Sequence, residues 1–367
     1  MSFGLLKHFK DRKKTSEEES SGSFVKNIIL GSDLGAILKV FALRKTENLD
    51  SIKIISNRVL NKKTLVENYN LGVCLLRSEN AVTEIYKNHF NAKILPQKGE
   101  PIFYKDGKFH EFNSRAKPMQ ILNEESFFLS KGFRVDISSL FSPEDWENFD
   151  SIISSHLDIR ILESVEKSEV KDLVEKSEWS LTFKDFKKMN CENLYVGISP
   201  VKFLSYLRNK DELTSDFIDF FTSIQVQSAL SISWKLKKLP YEEDKTLFLP
   251  QSMTHEWGHF IVEFEENSEG AWAHGLFIVH EDEPQTEDLG SKIKLMKRVI
   301  ERVFPQFENQ IESEFIRFDD EMFMSGVKDE LLEKLSFDYP TLNPIGQLSP
   351  LKVMMPTEKF LSRILLS

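Results

Sequence analysis

The chain has 367 residues, of which 40% are apolar and 29% are charged, the composition of a globular protein that can bury a large core. Its formal net charge of -10 excludes a general nucleic-acid binder, because there is no basic excess to neutralise phosphates. The two cysteines, Cys74 and Cys191, are too few for a disulfide framework and too far apart for a short metal clip. We therefore expect a reducing, cytoplasmic location.

Residues 1–23 are predicted to form a flexible N-terminal tail. Its start carries Phe3, Leu5, Leu6 and Phe9 among basic residues, and the polar stretch TSEEESSGS follows. Two interpretations remain open. The tail could be an amphipathic anchor on an acidic membrane surface, or a frayed terminus with a linker, which we favour because the apolar stretch is short.

A buried strand, a glycine turn and an amphipathic helix are predicted next. Val25 to Leu30 is apolar except for Asn27, a pattern typical of a central parallel strand. The turn resembles the dinucleotide fingerprint G-x-G-x-x-G/A, whose middle glycine lets the backbone approach a pyrophosphate. Here Asp33 holds the middle position, and its carboxylate would repel the phosphate that a helix N-terminus attracts. The candidate cofactor-binding residues are Gly31, Ser32, Asp33, Gly35 and Ala36.

A second strand, predicted at Ser51 to Ser56, completes a β-α-β unit. Dinucleotide-binding proteins place Asp or Glu after this strand, where it binds the ribose, whereas this chain has Asn57 and Arg58. An arginine there could instead face a phosphate. Residues 24–120 are assigned to this Rossmann-like unit, including a hairpin over 99–112 that turns at Asp106-Gly107.

Three further regions are predicted. Residues 121–228 are interpreted as a mainly helical insertion, because 142–179 is charged, serine-rich and weakly periodic. Residues 229–340 are predicted to form a mixed sheet and a long helix over 288–304, and residues 341–367 form a C-terminal segment. The predicted fold class is α/β, a Rossmann-like FAD/NAD(P)-binding domain with a mixed β-sheet second domain and a helical insertion.

The layout of the whole body resembles the flavin amine oxidase and phytoene desaturase group. The resemblance depends on the β-α-β start, the middle insertion, a long alternating strand with a hairpin, and a helix that runs into Arg302 to Glu312. It implies a split nucleotide domain, FAD as cofactor and a mixed sheet that roofs the substrate site. It also implies a glycine-arginine segment and a C-terminal Gly-Asp on the flavin, and neither is evident here.

The resemblance and its departures predict a flavin-oxidoreductase-like protein with a degenerate fingerprint. We expect a non-catalytic binding or scaffold protein, a pseudoenzyme in which FAD binding is lost and whose partner is an unknown small molecule or protein. A still-active FAD-dependent oxidoreductase, in which the cofactor supplies most of the chemistry, is the second alternative.

The first alternative, ahead of an active oxidoreductase, is a zinc-dependent metallohydrolase. Residues 255–259 read HEWGH, a match to the H-E-x-x-H motif. On a helix His255 and His259 would share a face and bind zinc, and Glu256 would act as general base. The competing interpretation, which we favour, is a β-hairpin with its turn near 267–270. In a strand, residues four apart are separated by about 13 Å, so the two histidines could not share one ion.

The same hairpin carries three large aromatic residues, Trp257, Trp272 and Phe277. They could line a ligand pocket, but aromatic residues in a sheet covered on both sides are more often part of the core. We therefore interpret them as core residues.

Overall fold

The fold is taken from a computed structural model of the full chain. The structure describes residues 23–31, 34–56, 75–78, 84, 87–89, 93–95, 99–111, 133–136, 151–154, 156–162, 178–185, 187–250, 257–267, 270–279, 289–325 and 329–345. The predictions on the N-terminal tail, and on Asn57 and Arg58, lie outside these residues. Among the described helices, none is long and apolar enough to cross a membrane.

The first sheet contains the predicted β-α-β unit at its centre. β1 (Ser23–Leu30) is parallel to β2 (Ile52–Ser56), and the helix α1 (Leu34–Arg44) connects them. On its other side β1 is parallel to β11 (Lys188–Val196), with Val25 opposite Cys191. The described strands of this sheet, in spatial order, are β8 (Ser151–Ile153), β2 (Ile52–Ser56), β1 (Ser23–Leu30), β11 (Lys188–Val196), β10 (Trp179–Phe183) and β9 (Leu157–Ile161), and β17 (Leu342–Pro344) also pairs with β11.

Helices α2 (Pro200–Tyr206), α3 (Ser215–Ser223) and α6 (Asp329–Asp338) contribute to the core of the first sheet. α2 and α3 begin where a hydroxyl can cap them: Ser199 Oγ accepts from Lys202 N at 3.1 Å and Thr214 Oγ1 accepts from Phe217 N at 3.3 Å. Their buried stripes meet in a group of aromatic rings, Phe203, Phe217, Phe221 and Tyr339.

The second sheet is mixed, as predicted. Neighbouring strands of this sheet are antiparallel, except that β13 (Lys245–Pro250) is parallel to β5 (Gly99–Lys105). The amphipathic helix α4 (Leu289–Val303) packs on one of its faces, and α5 (Phe307–Gln310) follows. The described strands, in spatial order, are β16 (Ile311–Ser325), β12 (Gln225–Leu236), β15 (Gly270–Val279), β14 (Trp257–Asn267), β13 (Lys245–Pro250), β5 (Gly99–Lys105) and β6 (Lys108–Glu111). A small separate sheet has the order β3 (Leu75–Ser78), β7 (Phe133–Asp136) and β4 (Lys93–Leu95).

Helices were expected in 142–179, but the described part of this segment forms strands. It contributes β8 and β9, two edge regions of the first sheet. In β9 the buried Leu157 and Ile159 alternate with Asp158 and the exposed Arg160, which is a strand pattern. The high charge of the segment hid this short alternation, and the expectation of a mainly helical insertion was wrong for these residues.

The hairpin around Asp106-Gly107 is confirmed, but it belongs to the other sheet. Both turn residues have positive φ, 52° for Asp106 and 82° for Gly107, as in the two-residue turns that match strand twist. β5 pairs with β13, so a segment expected in the Rossmann-like unit extends the mixed sheet.

Candidate ligand sites

The glycine turn after β1 lies at the carboxyl end of the first sheet, where ligands bind in open α/β sheets. Gly31 has φ +121°, which favours glycine. Its N–H donates to Ile55 O at 2.8 Å, and Gly197 N donates to Leu30 O at 2.7 Å. A Cβ built on Gly31 would lie 2.5 Å from Gly197 O. The chain's own backbone packing therefore requires this glycine.

The helix α1 starts at Leu34, directly after the turn. Gly35 and Ala36 are buried, and the Cβ of Ala36 would be 3.3 Å from a Cβ placed on Gly197. The small side chain of Ala36 thus lets α1 pack closely against Gly197, the residue after β11. Ser32 and Asp33 lie outside the described residues, although Asp33 immediately precedes the helix in sequence.

The strand β17, near the end of the described residues, pairs with β11 at the same edge of the first sheet. Tyr195 and Val196 of β11 are opposite Asn343 and Pro344, and Ile345 N donates to Val196 O at 2.9 Å. The next residues in sequence are Gly346 and Gln347, which lie outside the described part of the chain. A Gly-Gln pair therefore follows the last strand of the described residues, in the C-terminal part of the chain where the resemblance implies a Gly-Asp. A three-residue strand has too weak a pattern to place this segment from sequence.

Sequence reasoning did not single out Lys39, a lysine on the buried side of α1. It is 1% exposed, and its Nζ lies 4.6 Å from the centroid of the Tyr195 ring, within the range of a cation–π contact. Burial lowers the pKa of Lys39 to about 8. Burial also raises the pKa of Tyr195 to about 12, and the negative charge of Glu47 adds to that shift.

The zinc alternative fails on local structure. Trp257–Asn267 form β14, so His259 is in an extended strand, and His255 and Glu256 lie outside the described residues. The helix that would bring the two histidines onto one face is thus absent over 257–259. The hairpin interpretation is confirmed, because β14 pairs antiparallel with β15 and Asn267 is opposite Gly270. Among the described residues no cluster of His, Cys, Asp and Glu could hold a metal ion.

The second sheet has two chemically different faces. One is apolar and packs on α4, through residues such as Ile232, Trp234, Val262 and Phe264. The other carries a row of polar side chains from four neighbouring strands, which we call the polar row: Ser233, His274, Glu263 and Thr246, each opposite the next in register.

Three of the four residues of the polar row are buried although they are polar, and Glu263 is half-buried. Ser233 is 4% exposed, His274 6% and Thr246 3%. Thr246 Oγ1 donates to Glu263 Oε1 at 2.6 Å, a charge-assisted hydrogen bond that fixes the carboxylate. Glu263 lies opposite His274, so the two side chains share a face, with their Cβ atoms about 5 Å apart.

Trp272 is two residues from His274 on β15, so its side chain lies on the same face of the sheet. It is 4% exposed and its ring lies 6.1 Å from that of His274, with an interplanar angle of 25°. Glu265 is opposite Trp272 on β14 and Lys235 is opposite it on β12. Among the described residues, Trp272 Nε1 has no hydrogen-bond partner. Trp272 is therefore buried, as expected, but on the polar face. The side chains of Trp257 and Phe277 lie outside the described part.

The two sheets together define the class of protein: an α/β protein with a Rossmann-type domain and a mixed-sheet second domain. Its fold is that of solved amine oxidases such as putrescine oxidase, and the predicted resemblance is confirmed at the level of the fold. The chain is similar to a CLA-producing fatty acid isomerase from P. acnes, with 10% identity, 92% of this chain and 98% of that chain covered, and a TM-score of 0.53.

Two further solved structures are similar to this chain over nearly its whole length. The PF1083 protein from Pyrococcus furiosus has 8% identity, covers 94% of this chain and 98% of its own, and has a TM-score of 0.52. Wild-type putrescine oxidase bound to putrescine has 8% identity, 93% and 97% coverage and a TM-score of 0.51. No known protein-family model and no curated protein matches the sequence. Identities this low show a shared fold alone.

Proposed function

We propose that this chain keeps the fold of a flavin amine oxidase but has lost tight FAD binding, and that it acts as a non-catalytic binding protein. The observation that carries the proposal is the start of α1. The helix begins at Leu34, and the residue before it in sequence is Asp33, an amino acid that is favoured as a helix N-cap. A capping carboxylate accepts hydrogen bonds from the first helical N–H groups, here those of Gly35 or Ala36. These are the donors that a pyrophosphate would need.

Two more features support a weakened FAD site. The space beside Gly31 is filled by the backbone of Gly197, so this glycine serves the packing of two turns whether or not a ligand binds. Asn57 follows β2, and Gln347 comes soon after β17. An amide at each place removes the carboxylates that the resemblance implies for the ribose and the flavin. This set of residues is poorly suited to FAD.

A still-active FAD-dependent oxidoreductase is the second candidate. It is favoured by the glycine turn, which lies at the carboxyl end of β1 between β2 and β11, and by the near-complete coverage of structures such as putrescine oxidase. The similar structures include an isomerase and an oxidase by name. The fold alone therefore does not determine which reaction a protein catalyses.

For the partner, a small molecule fits better than a protein. The polar face of the second sheet is buried at Ser233, His274 and Trp272, where a second protein surface could not reach. A contact between the N-terminal tail and a membrane stays a prediction, as does the cytoplasmic location.

The test is a titration of the full chain with FAD, followed by quenching of flavin fluorescence. We expect no saturable binding of the wild type in the micromolar range. Asp33→Gly, which restores the middle glycine, should gain affinity by about tenfold or more, since it removes one charge repulsion and frees a helix N–H. Asp50→Asn, which removes an exposed carboxylate beyond α1, should leave affinity unchanged. Micromolar or tighter binding by the wild type would contradict the proposal.

A further inference from the structure

Phe337 is the most exposed large apolar side chain among the described residues, at 87%. It lies in the last turn of α6, a helix whose Leu332 and Leu335 are buried in the core of the first sheet. Scattered exposed apolar residues are ordinary, so exposure alone does not assign a role to this ring. Aromatic residues are, however, enriched among those that anchor protein contacts. The surroundings of Phe337 therefore decide what it can contact.

The side of α6 that carries Phe337 is acidic. We call this surface the α6 face; it consists of Glu330, Glu333, Lys334, Phe337 and Asp338, which are all exposed. Residues at these spacings lie on one side of a helix. The one cation in this set, Lys334, is already paired with Asp216 of α3, with its Nζ 3.3 Å from Oδ2. Three carboxylates therefore share this side of the helix with the exposed ring.

Two electrostatic features add to the negative potential at the α6 face. Asp338 is the last residue of α6, and the last turn of this helix contains no basic residue, although the helix dipole favours a cation there. The neighbouring helix α3, whose N-cap Thr214 N donates to Tyr339 Oη at 3.0 Å, contributes the exposed Asp219. A partner that fits this surface combines positive charge with apolar side chains.

The chain itself contains such a segment at its N-terminus. Residues 1–14 read MSFGLLKHFKDRKK, with five basic residues and one acidic residue, in a chain whose net charge is -10. Its four large apolar residues after the initiator methionine are Phe3, Leu5, Leu6 and Phe9. A segment tethered to its site by a short linker has an effective concentration on the order of millimolar. A weak contact with the α6 face is therefore enough to hold it there.

The start of β1 is close enough to α6 for this contact. Ser23 is level with the start of β11, and Leu194, further along β11, donates from its backbone N to Thr341 O. Given the rise along β11 and the spacing of neighbouring strands, Thr341 lies about 20 Å from Ser23, and α6 ends shortly before Thr341. Residues 15–22 span up to about 28 Å when extended. Residues 1–14 can thus reach the α6 face of the same chain.

We propose that residues 1–14 dock on the α6 face of their own chain. The ring of Phe337 packs among the apolar side chains of the segment, whose basic residues pair with Glu330, Asp338 and Asp219. Because exposed ion pairs are screened by salt, low ionic strength favours the docked state. While it is docked, the segment does not bind a membrane surface. The inference does not depend on the proposed loss of FAD.

The experiment is limited cleavage of the full chain by trypsin, with the loss of residues 1–14 followed by intact-mass spectrometry. Trypsin cuts after Lys and Arg, so the basic residues of the segment report their own accessibility. Phe337→Ala, and the double variant Glu330→Gln with Asp338→Asn, should each accelerate this cleavage by about fivefold or more at low salt. The difference between these variants and the wild type should shrink at high salt.

Two matched controls separate docking from general effects of substitution. Val201→Ala removes a comparable apolar side chain, 54% exposed on α2, and Glu308→Gln removes an exposed carboxylate from α5. Neither should change the cleavage rate of residues 1–14. Equal cleavage rates for the wild type and Phe337→Ala at low salt would overturn the docking.

Photo-crosslinking identifies the occupant directly. With p-benzoylphenylalanine in place of Phe337, we expect cross-links to residues 1–14 within one chain. Cross-links to residues 1–14 of a second copy, with a cleavage rate that falls as protein concentration rises, would overturn docking within one chain. Protection of the segment only when phosphatidylserine vesicles are added would assign it to a membrane surface, and the inference would be wrong.

Discussion

Gly31 and Gly197 lie backbone against backbone at the carboxyl edge of the first sheet. The Cβ that any other residue would add to Gly31 falls 2.5 Å from Gly197 O, and Gly197 N donates to Leu30 O at 2.7 Å. The first glycine of the fingerprint is therefore fixed by contact between two turns. Its presence is explained without a nucleotide, and the same contact gives the first prediction.

Gly31→Ala should destabilise the fold by more than about 2 kcal/mol, because a positive φ and a backbone clash act together. The control is Gly290→Ala in α4, where an added Cβ meets nothing within 4 Å. Alanine is the better helix former there, and the change should stabilise by up to about 1 kcal/mol. Urea unfolding followed by circular dichroism measures both. An unchanged midpoint for Gly31→Ala would contradict the close packing of the two turns.

Gly275 makes room for a tryptophan in the core of the second sheet. A Cβ there would lie 3.1 Å from Trp234 Cζ3 and 3.4 Å from Met296 Cε. Trp234 cannot easily move, because its Nε1 donates to Glu314 Oε2 at 2.7 Å and Lys297 donates to the other carboxylate oxygen. We expect Gly275→Ala to cost about 1–3 kcal/mol of unfolding free energy by overpacking.

The partner variant Trp234→Phe tests that explanation. Phenylalanine lacks the ring atoms that the new Cβ would meet, so the cost of Gly275→Ala should fall in the Trp234→Phe background. A double-mutant cycle from chemical unfolding gives the coupling energy. If the free-energy costs of Gly275→Ala and Trp234→Phe are additive, crowding by the indole is not the cause of the destabilisation by Gly275→Ala.

Lys39 should make stability depend on pH. Its pKa falls from 10.5 in the unfolded chain to about 8 in the fold, so between these values the unfolded state binds more protons. The free energy of unfolding should therefore rise from about pH 8 to about pH 10.5, by at most about 3 kcal/mol. The attraction of the charged amine to the Tyr195 ring reduces the rise. Below pH 8 the buried charge is retained at a cost.

Lys39→Met removes the pH-dependent contribution of Lys39 to the free energy of unfolding. The wild type should therefore gain stability relative to the variant as pH increases from 8 to 10. Lys39→Arg keeps its charge throughout this range and should be less stable than Lys39→Met at every pH. Urea unfolding at pH 7, 8, 9 and 10 measures the differences. Parallel curves for the wild type and Lys39→Met would show that Lys39 does not titrate in the fold.

Much of the local structure was predictable from sequence. The apolar run Val25–Leu30, the hairpin at Asp106-Gly107 and the helix before Pro305 are short-range patterns, and each is present. The pairing of β1 with β11 was not predictable, since it joins Val25 to Cys191 across an insertion, and residue periodicity carries no information on distant partners.

The polar row was missed for a different reason. The alternation along β14 shows that Glu263 and Glu265 share a face opposite Val262 and Phe264, and such a face is ordinarily exposed to water. Sequence alternation separates two faces but does not say that both are covered. The burial of His274 at 6% exposure comes only from the assembled fold.

The most direct measurement of the central claim is the absorbance of the full-length chain, purified after expression with riboflavin and then incubated with excess FAD and desalted. The account predicts no band near about 450 nm in the wild type, and a gain of that band in Asp33→Gly. A yellow wild-type protein with about one FAD per chain would contradict the loss of the cofactor. The same result would establish Gly31 to Ala36 as part of a working flavin site.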